Sequence, residues 1–278
     1  VSIPTASAGR RPAQPYLVQV KRISDLSPHL RCITFHSEAL RDYPADRYGA
    51  HIKLFIPQAG QQTPALPTLS ERGPIWPEGE TRPIVRTYSL RDTRPTAAEL
   101  DIAFALHDHA SPAVSFARQA KPGDYVGVSR PGGPYPMLPP ADTYYLAGDP
   151  SSLPAIAALL ENLPDYAQGH AVIRVDSGAD ILDLAKPSQI NLHWIVGDTA
   201  MTEELIDRFR ALPHERTAGQ AFYWLAGEDR IVVQLRRYAR RECGCERNRL
   251  YAVPYWREGL NEEDYHDKRH DIMDHPDD

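Results

Sequence analysis

Thr143-Tyr144-Tyr145-Leu146-Ala147-Gly148-Asp149, continuing through Pro150-Ser151-Ser152-Leu153-Pro154-Ala155-Ile156, reads as a strand over 143–147, a tight turn and a helix over 153–162. Such a turn falls at the carboxyl edge of a parallel sheet, where open α/β folds keep their nucleotide crevice. The helix start is expected to face a ligand's phosphates, because the first amides of a helix have no partners within it. The turn lacks a Gly-x-Gly-x-x-Gly pattern, so by itself it points only to a doubly wound sheet. Downstream, strands are predicted over 172–175, 192–196 and 222–226 and helices over 202–211 and 231–241. Strands alternating with longer helices signal a parallel sheet covered on both faces. Ala226-Gly227-Glu228 repeats the first arrangement, a glycine and then a carboxylate at a strand end with a helix behind it. Gly148, Asp149, Gly227 and Glu228 are therefore expected to flank one bound cofactor.

Upstream the pattern changes. Pro131-Gly132-Gly133-Pro134 opens a proline-rich connection that reaches Pro140, which sets the expected domains at 1–140 and 141–278. Before it, short alternating segments broken by Pro and Gly predict strands over 17–23, 30–35, 51–56, 84–91, 100–107 and 125–129, enough to close a small antiparallel barrel. In the third, Ile52, Leu54 and Ile56 share one face and leave His51, Lys53 and Phe55 on the other. Residues 57–83 are rich in Pro, Gly and Thr without a clear period, and read as a long loop with one edge strand. A helix is expected over 111–120, with Ser111 as N-cap and Pro112 in the first turn, where a missing N–H costs nothing.

Arg86-Thr87-Tyr88-Ser89-Leu90-Arg91 places a cation, an aromatic plate and a small hydroxyl on one of those strands. A guanidinium pairs bidentately with a pyrophosphate, a phenol ring lies against an isoalloxazine, and a Ser hydroxyl bonds the ring edge through which electrons pass. The set suits a flavin. Alternation puts Arg86 and Tyr88 on one face and Thr87 and Ser89 on the other, so a flavin must straddle a strand end to touch both. Taken alone, the motif equally describes an amphipathic strand with an exposed Arg.

The 278 residues, 42% hydrophobic and 24% charged, suit a globular chain of two ordinary domains. A formal charge of −6 gives no electrostatic footprint for nucleic acid. No apolar run approaches the ~20 residues of a membrane helix, and the N-terminal stretch to Gln14 lacks the apolar core of a signal peptide. The expected compartment is the cytoplasm, with no membrane partner. Cys32, Cys243 and Cys245 are too few for a disulfide framework or a four-thiolate metal site, and Cys243-Gly244-Cys245 reads as two reduced thiols on a surface loop. His266 and His270, set among Asp, Glu, Lys and Arg, read as part of a solvated tail. No metal site is expected.

Taken in order, the motifs resemble those of the siderophore-interacting proteins, flavin-containing ferric-siderophore reductases related to the ferredoxin reductases. Arg86 to Arg91 is similar to the family's Arg-x-Tyr-Thr/Ser-x-Arg flavin motif, and His107 with Ser111-Pro112-Ala113 to its His followed by Gly-Pro-Ala. Tyr145-Leu146-Ala147-Gly148-Asp149 through Leu153-Pro154-Ala155-Ile156 resembles its Leu-Ala-Gly-Asp-x-x-x-Leu-Pro-Ala-Ile. Trp224-Leu225-Ala226-Gly227-Glu228, then Leu235-Arg236-Arg237, then Tyr255-Trp256-Arg257-x-Gly259 follow as further landmarks, so the likeness runs from Pro15 to Tyr265. The family usually has Gly where Ser111 stands and Trp where Phe116 stands, and the 243–249 segment looks longer and more polar than typical.

The resemblance implies a ferredoxin-reductase-like chain: an N-terminal antiparallel six-stranded flavin-binding β-barrel followed by a parallel-sheet nucleotide-binding α/β domain. It implies FAD, with Arg86 and the segment Pro112, Ala113, Val114 and Ser115 at the pyrophosphate, Thr87, Tyr88 and Ser89 at the ring, and Ala103 and His107 beside it. Gly148, Asp149, Gly227, Glu228, Tyr255 and Trp256 complete the implied cofactor set, with NADPH or NADH as donor. Arg174 could meet a 2′-phosphate and Asp176 a ribose hydroxyl, a choice the sequence leaves open. The implied substrate is a ferric siderophore, often anionic, with Lys53, Arg130 and Arg257 as the cations that attract it. Ferredoxin as donor, a flavin or oxygenase reductase component, and a flavin-loaded siderophore-binding protein without turnover stand as alternatives. A monomer is expected.

Overall fold

The computed structural model describes residues 14–70, 72–107, 111–214, 221–260 and 264–265; His266 and His270 lie outside these. The first half runs β1 (Tyr16–Ser27), β2 (Leu30–His36), β3 (His51–Ile56), β4 (Thr68–Ser70), β5 (Gly73–Ile75), β6 (Ile84–Arg94), β7 (Glu99–Ala105), α1 (Pro112–Gln119) and β8 (Tyr125–Val128). Six of these strands close an antiparallel barrel in the order β1-β2-β7-β6-β3-β8, the six that the alternation predicts. Its filling is the inward set of each strand, including Val18, Ile33, Ile52, Leu54, Ile102 and Val128.

The long loop holds two short strands rather than one, and β4 and β5 pair only with each other. This segment folds back on the outer barrel wall. A Cβ on Gly127 would lie 2.2 Å from Leu66 Cδ2, and the Trp76 ring meets Phe55 edge-on at 6.3 Å. Phe55 is an outward residue of β3, so the loop supplies its apolar cover.

The second half runs β9 (Thr143–Gly148), α2 (Leu153–Glu161), β10 (Gln168–Val175), β11 (Gln189–Val196), α3 (Thr202–Arg210), β12 (Ala221–Glu228), α4 (Asp229–Arg241) and β13 (Leu250–Trp256). All pairs are parallel, in the order β11-β10-β9-β12-β13. The edge strand β13 escapes the sequence pattern because Pro254 interrupts it, and proline is tolerated at a sheet edge. One face of the sheet packs on α3 and α4. The other packs on α2, whose residues from Leu153 to Leu160 are all buried. A helix apolar all round needs cover on every side, and the barrel supplies the rest. Leu30, Ala50, Ala103 and Met137 join the same core, and Gly49 approaches so closely that a Cβ there would sit 3.1 Å from Leu159 Cγ.

Candidate functional site

The barrel wall at β6 carries the first cluster. Register sets Arg86, Tyr88, Thr87 and Ser89 opposite Leu54, Ile52, Lys53 and His51 of β3, respectively. Tyr88 therefore leans toward the barrel filling, its ring 4.6 Å from that of Phe104, while Thr87 and Ser89 turn outward with Lys53 and His51. Lys53 Nζ donates to Thr87 Oγ1 at 2.7 Å. Arg86 donates to the Val85 carbonyl at 2.9 Å. Ser89, only 6% exposed, is in hydrogen-bond contact with Tyr255 of β13, a residue of the other half of the chain. Burial pushes the Tyr255 phenol up, while Ser89 and Tyr251 pull it down by hydrogen bonding.

A bulge between Leu90 and Asp92 carries Arg91 away from this cluster. Its guanidinium forms a bidentate pair with Glu161 at the end of α2, at 2.7 and 2.5 Å. The last Arg of the motif thus joins the two halves of the chain.

At the start of α1 the Ser111 hydroxyl accepts from the Val114 amide at 3.2 Å, and its carbonyl accepts from Ser115 at 2.8 Å. Pro112 has no N–H. Among the described residues, the amides of Ser111 and Ala113 are the open donors of this turn, and the turn carries no acid. Serine in place of the family's glycine thus takes one donor for its own cap. Phe116 packs near Phe104, with ring centroids 6.3 Å apart. Ala103 is buried in the core shared by both halves, and His107 is exposed beyond β7, its carbonyl accepting from Arg118 at 3.2 Å.

The second cluster lies at the carboxyl ends of β9 and β12, the switch point of the sheet. Asp149 is fully buried. Its Oδ1 accepts from the Ser151 amide and hydroxyl at 2.9 and 2.5 Å, and its Oδ2 from the Glu228 amide and Trp256 Nε1 at 2.7 and 2.8 Å. Four donors hold one carboxylate, which ties the ends of β9, β12 and β13 together. Gly227 has φ +126° and lies under that carboxyl group, and a Cβ on Gly148 would fall 2.0 Å from Ser152 Oγ. Glu228 caps α4, accepting from the Arg230 amide at 2.6 Å, and burial raises its carboxyl above the usual range.

The turn into α2 differs from its sequence reading. The amides of Ser151, Ser152 and Leu153 all bond to Asp149, and Ser152 and Leu153 are buried. This turn shapes the crevice floor instead of offering open donors to a phosphate.

Lys53 of β3 and Arg130, just beyond β8, stand on adjoining strands, the Lys53 amide donating to the Ser129 hydroxyl at 2.9 Å. Lys53 reaches toward β6, whereas the Arg130 guanidinium lies over the Tyr16 ring on the β1 side, 6.0 Å from its centroid. Arg257 is exposed just beyond β13. Of the cysteines, Cys245 is buried rather than at the surface, and burial pushes its thiol up to about 11.

The β6 face and α1 together offer a guanidinium, a phenol, two hydroxyls and two open amides at an acid-free helix start, the donor chemistry a flavin with a diphosphate requires. FAD fits these residues.

A closed six-stranded antiparallel barrel followed by a parallel five-stranded sheet is the architecture of the ferredoxin-reductase-like flavoproteins. Ferredoxin-NADP+ reductase from Plasmodium falciparum shares it at TM-score 0.56 and 13% identity, over 87% of this chain and 96% of that one, a likeness of fold alone. Two family models match in tandem, the siderophore-interacting FAD-binding domain over residues 19–135 and the siderophore-interacting protein over 141–259. The chain belongs to the siderophore-interacting protein family and carries its FAD-binding domain. It is similar to ferric vibriobactin reductase ViuB of Vibrio cholerae, 36% identical over 94% of this chain and 96% of that protein. The NADPH-dependent ferric-chelate reductase of Escherichia coli is 32% identical over 85% and 91%. The crystal structure of the siderophore-interacting protein SipS from Aeromonas hydrophila superposes at TM-score 0.83 and 45% identity, covering 94% of this chain and 99% of that one. No helix among the described residues is long and apolar enough to cross a membrane.

Proposed function

We propose that the chain is an NAD(P)H-dependent ferric-siderophore reductase, a cytoplasmic monomer in which residues 1–140 hold FAD and 141–278 receive the electron donor. The observation that carries this reading is the contact between Tyr255 and Ser89: a side chain from the last strand of the parallel sheet reaches the flavin segment of the barrel. The names of the Vibrio cholerae and Escherichia coli relatives support a reductase, and that of the latter supports a nicotinamide donor.

FAD, when bound, takes up a hydride and gives electrons singly, the conversion that a nicotinamide and ferric iron need between them. Arg86 and the Ala113 amide would hold the diphosphate by charge-assisted hydrogen bonds. Tyr88, backed by Phe104, would support the ring, and Ser89 would offer its hydroxyl to the ring edge. Tyr255 keeps bulk water from Ser89. Lys53, steadied on Thr87, Arg130, whose guanidinium lies over the Tyr16 ring, and the exposed Arg257 attract an anionic chelate.

An anaerobic absorbance experiment tests it. The FAD-loaded protein should bleach with NADH or NADPH and recover its colour when a ferric siderophore is added, with ferrous iron captured by a ferrous chelator. Bleaching without recovery would make the chain a flavin or oxygenase reductase component. Bleaching only by reduced ferredoxin would replace the donor, and no bleaching by any donor would leave a binding protein.

A further inference from the structure

We infer that the donor is NADH in preference to NADPH, and that Asp176 makes the choice. The inference rests on the nicotinamide-dependent reading above and names the nucleotide. The sheet order β11-β10-β9-β12-β13 is the 3-2-1-4-5 order of a dinucleotide-binding fold. In that fold the adenosine ribose lies over the carboxyl end of the second strand, where an acid accepts from the ribose hydroxyls, whereas a 2′-phosphate requires an available cation.

Here the second strand is β10, which ends at Val175, and Asp176 is the next residue. Ile173 pairs with Gly148, the last residue of β9, so Asp176 rises just above the level of the β9 turn, on the same rim. Its side chain is 39% exposed. The cation at this rim is Arg174, and it is committed: 3% exposed, its Nη1 donates to Asp176 Oδ1 at 2.6 Å and to the Gly197 carbonyl at 2.8 Å. Its Nε is buried without an acceptor, so the guanidinium sits below the surface with Asp176 above it. A 2′-phosphate approaching this rim meets the carboxylate first, and reaches Arg174 only by separating a short ion pair. A 2′-hydroxyl has no such conflict. It donates to the outer oxygen of Asp176 while the inner one stays on Arg174. The neighbouring Gly178 leaves room, since nothing lies within 4 Å of the position a Cβ would take.

The Escherichia coli relative is named for NADPH, so the inference separates this chain from it. The test uses the FAD-loaded full chain with two readouts, calorimetric binding of ADP-ribose against 2′-phospho-ADP-ribose, and kcat/KM for flavin reduction by NADH against NADPH. Both should favour the compound without the phosphate by about 10- to 100-fold, the difference one charged hydrogen bond makes. Asp176→Asn removes the repelling charge and releases Arg174, and should bring the ratio close to one or invert it; Asp176→Ser should narrow it as well. Arg174→Gln should keep the preference for ADP-ribose, because Asp176 remains. A parent protein that prefers the phosphorylated compounds, or a well-folded Asp176→Asn with the parent's ratio, overturns the assignment while the donor reading stands. If neither nucleotide binds nor bleaches the parent, the donor reading falls, and this inference with it.

Discussion

At Gly227 the backbone has φ +126°, and an added Cβ would lie 2.7, 2.8 and 2.9 Å from three atoms of the Asp149 carboxyl group. That carboxyl cannot yield without releasing Ser151, the Glu228 amide or Trp256. Gly227→Ala should therefore cost about 2–4 kcal/mol, combining backbone strain with a broken buried network. Gly178→Ala, in open space and outside the left-handed region, should change stability by no more than a few tenths of a kcal/mol. Parallel thermal melts decide the matter, and coincident midpoints for the two variants would show that the carboxylate moves freely. Sequence reading found both partners, since a glycine and an acid at two strand ends are visible in the chain. It could not show that they face each other. The missing information was β13: Trp256 supplies the fourth donor, and Pro254 hides the strand that carries it.

The strands β10 and β11 and the turn after α3 bring three histidines to the side of the sheet away from the barrel. Arg208 can only donate, so His193 Nδ1 accepts from it at 2.8 Å, which leaves Nε2 to donate to His170 Nδ1 at 3.2 Å. His214 Nε2 donates to the Phe209 carbonyl at 2.8 Å and its Nδ1 accepts from the Tyr223 hydroxyl at 3.3 Å. All three rings are neutral in this network, and burial holds each below the usual imidazole range, with Arg208 adding to the effect at His170 and His193. Unfolded histidines take up protons below about pH 6.5. The folded chain resists this uptake, so stability is full above that value and declines as pH falls through it toward the lowered folded values. Urea melts from pH 8 to 5 should show the loss beginning near pH 6.5, and His193→Gln should make it shallower. A flat profile across that range would mean the network opens to accept protons. These contacts were not legible in the sequence, because His170 and His193 meet only through the parallel register and His214 reaches Phe209 and Tyr223 only through the turn after α3. The barrel was legible, because two-residue alternation and turn residues are local signals.

Across the whole molecule the halves are held by a few polar ties around the shared core of α2. Arg91 clasps Glu161, and Asp180 accepts from the Ser27 hydroxyl at 2.7 Å and from the His29 amide at 3.0 Å. Burial alone would raise the Asp180 carboxyl, but the hydrogen bonds from Ser27 and His29 more than offset it and hold it below the usual range. A double-mutant cycle on Arg91→Ala and Glu161→Ala should return a coupling of about 1–2 kcal/mol, between exposed and buried pairs in size, and independent effects would show that the clasp contributes nothing to the joint. Neither tie can be read from the chain, since Arg91 belongs by sequence to a ligand motif and points away from it only because of the bulge. The burial of α2 on every side has a further consequence for biogenesis. The ribosome delivers the barrel first, and β1 can pair with β8 as soon as Val128 emerges, before α2 has left the ribosome. The nascent helix then meets a surface already shaped for it. An order of synthesis reversed by circular permutation would instead release an oily helix with half its cover still untranslated, where chaperones, not the barrel, would have to hold it.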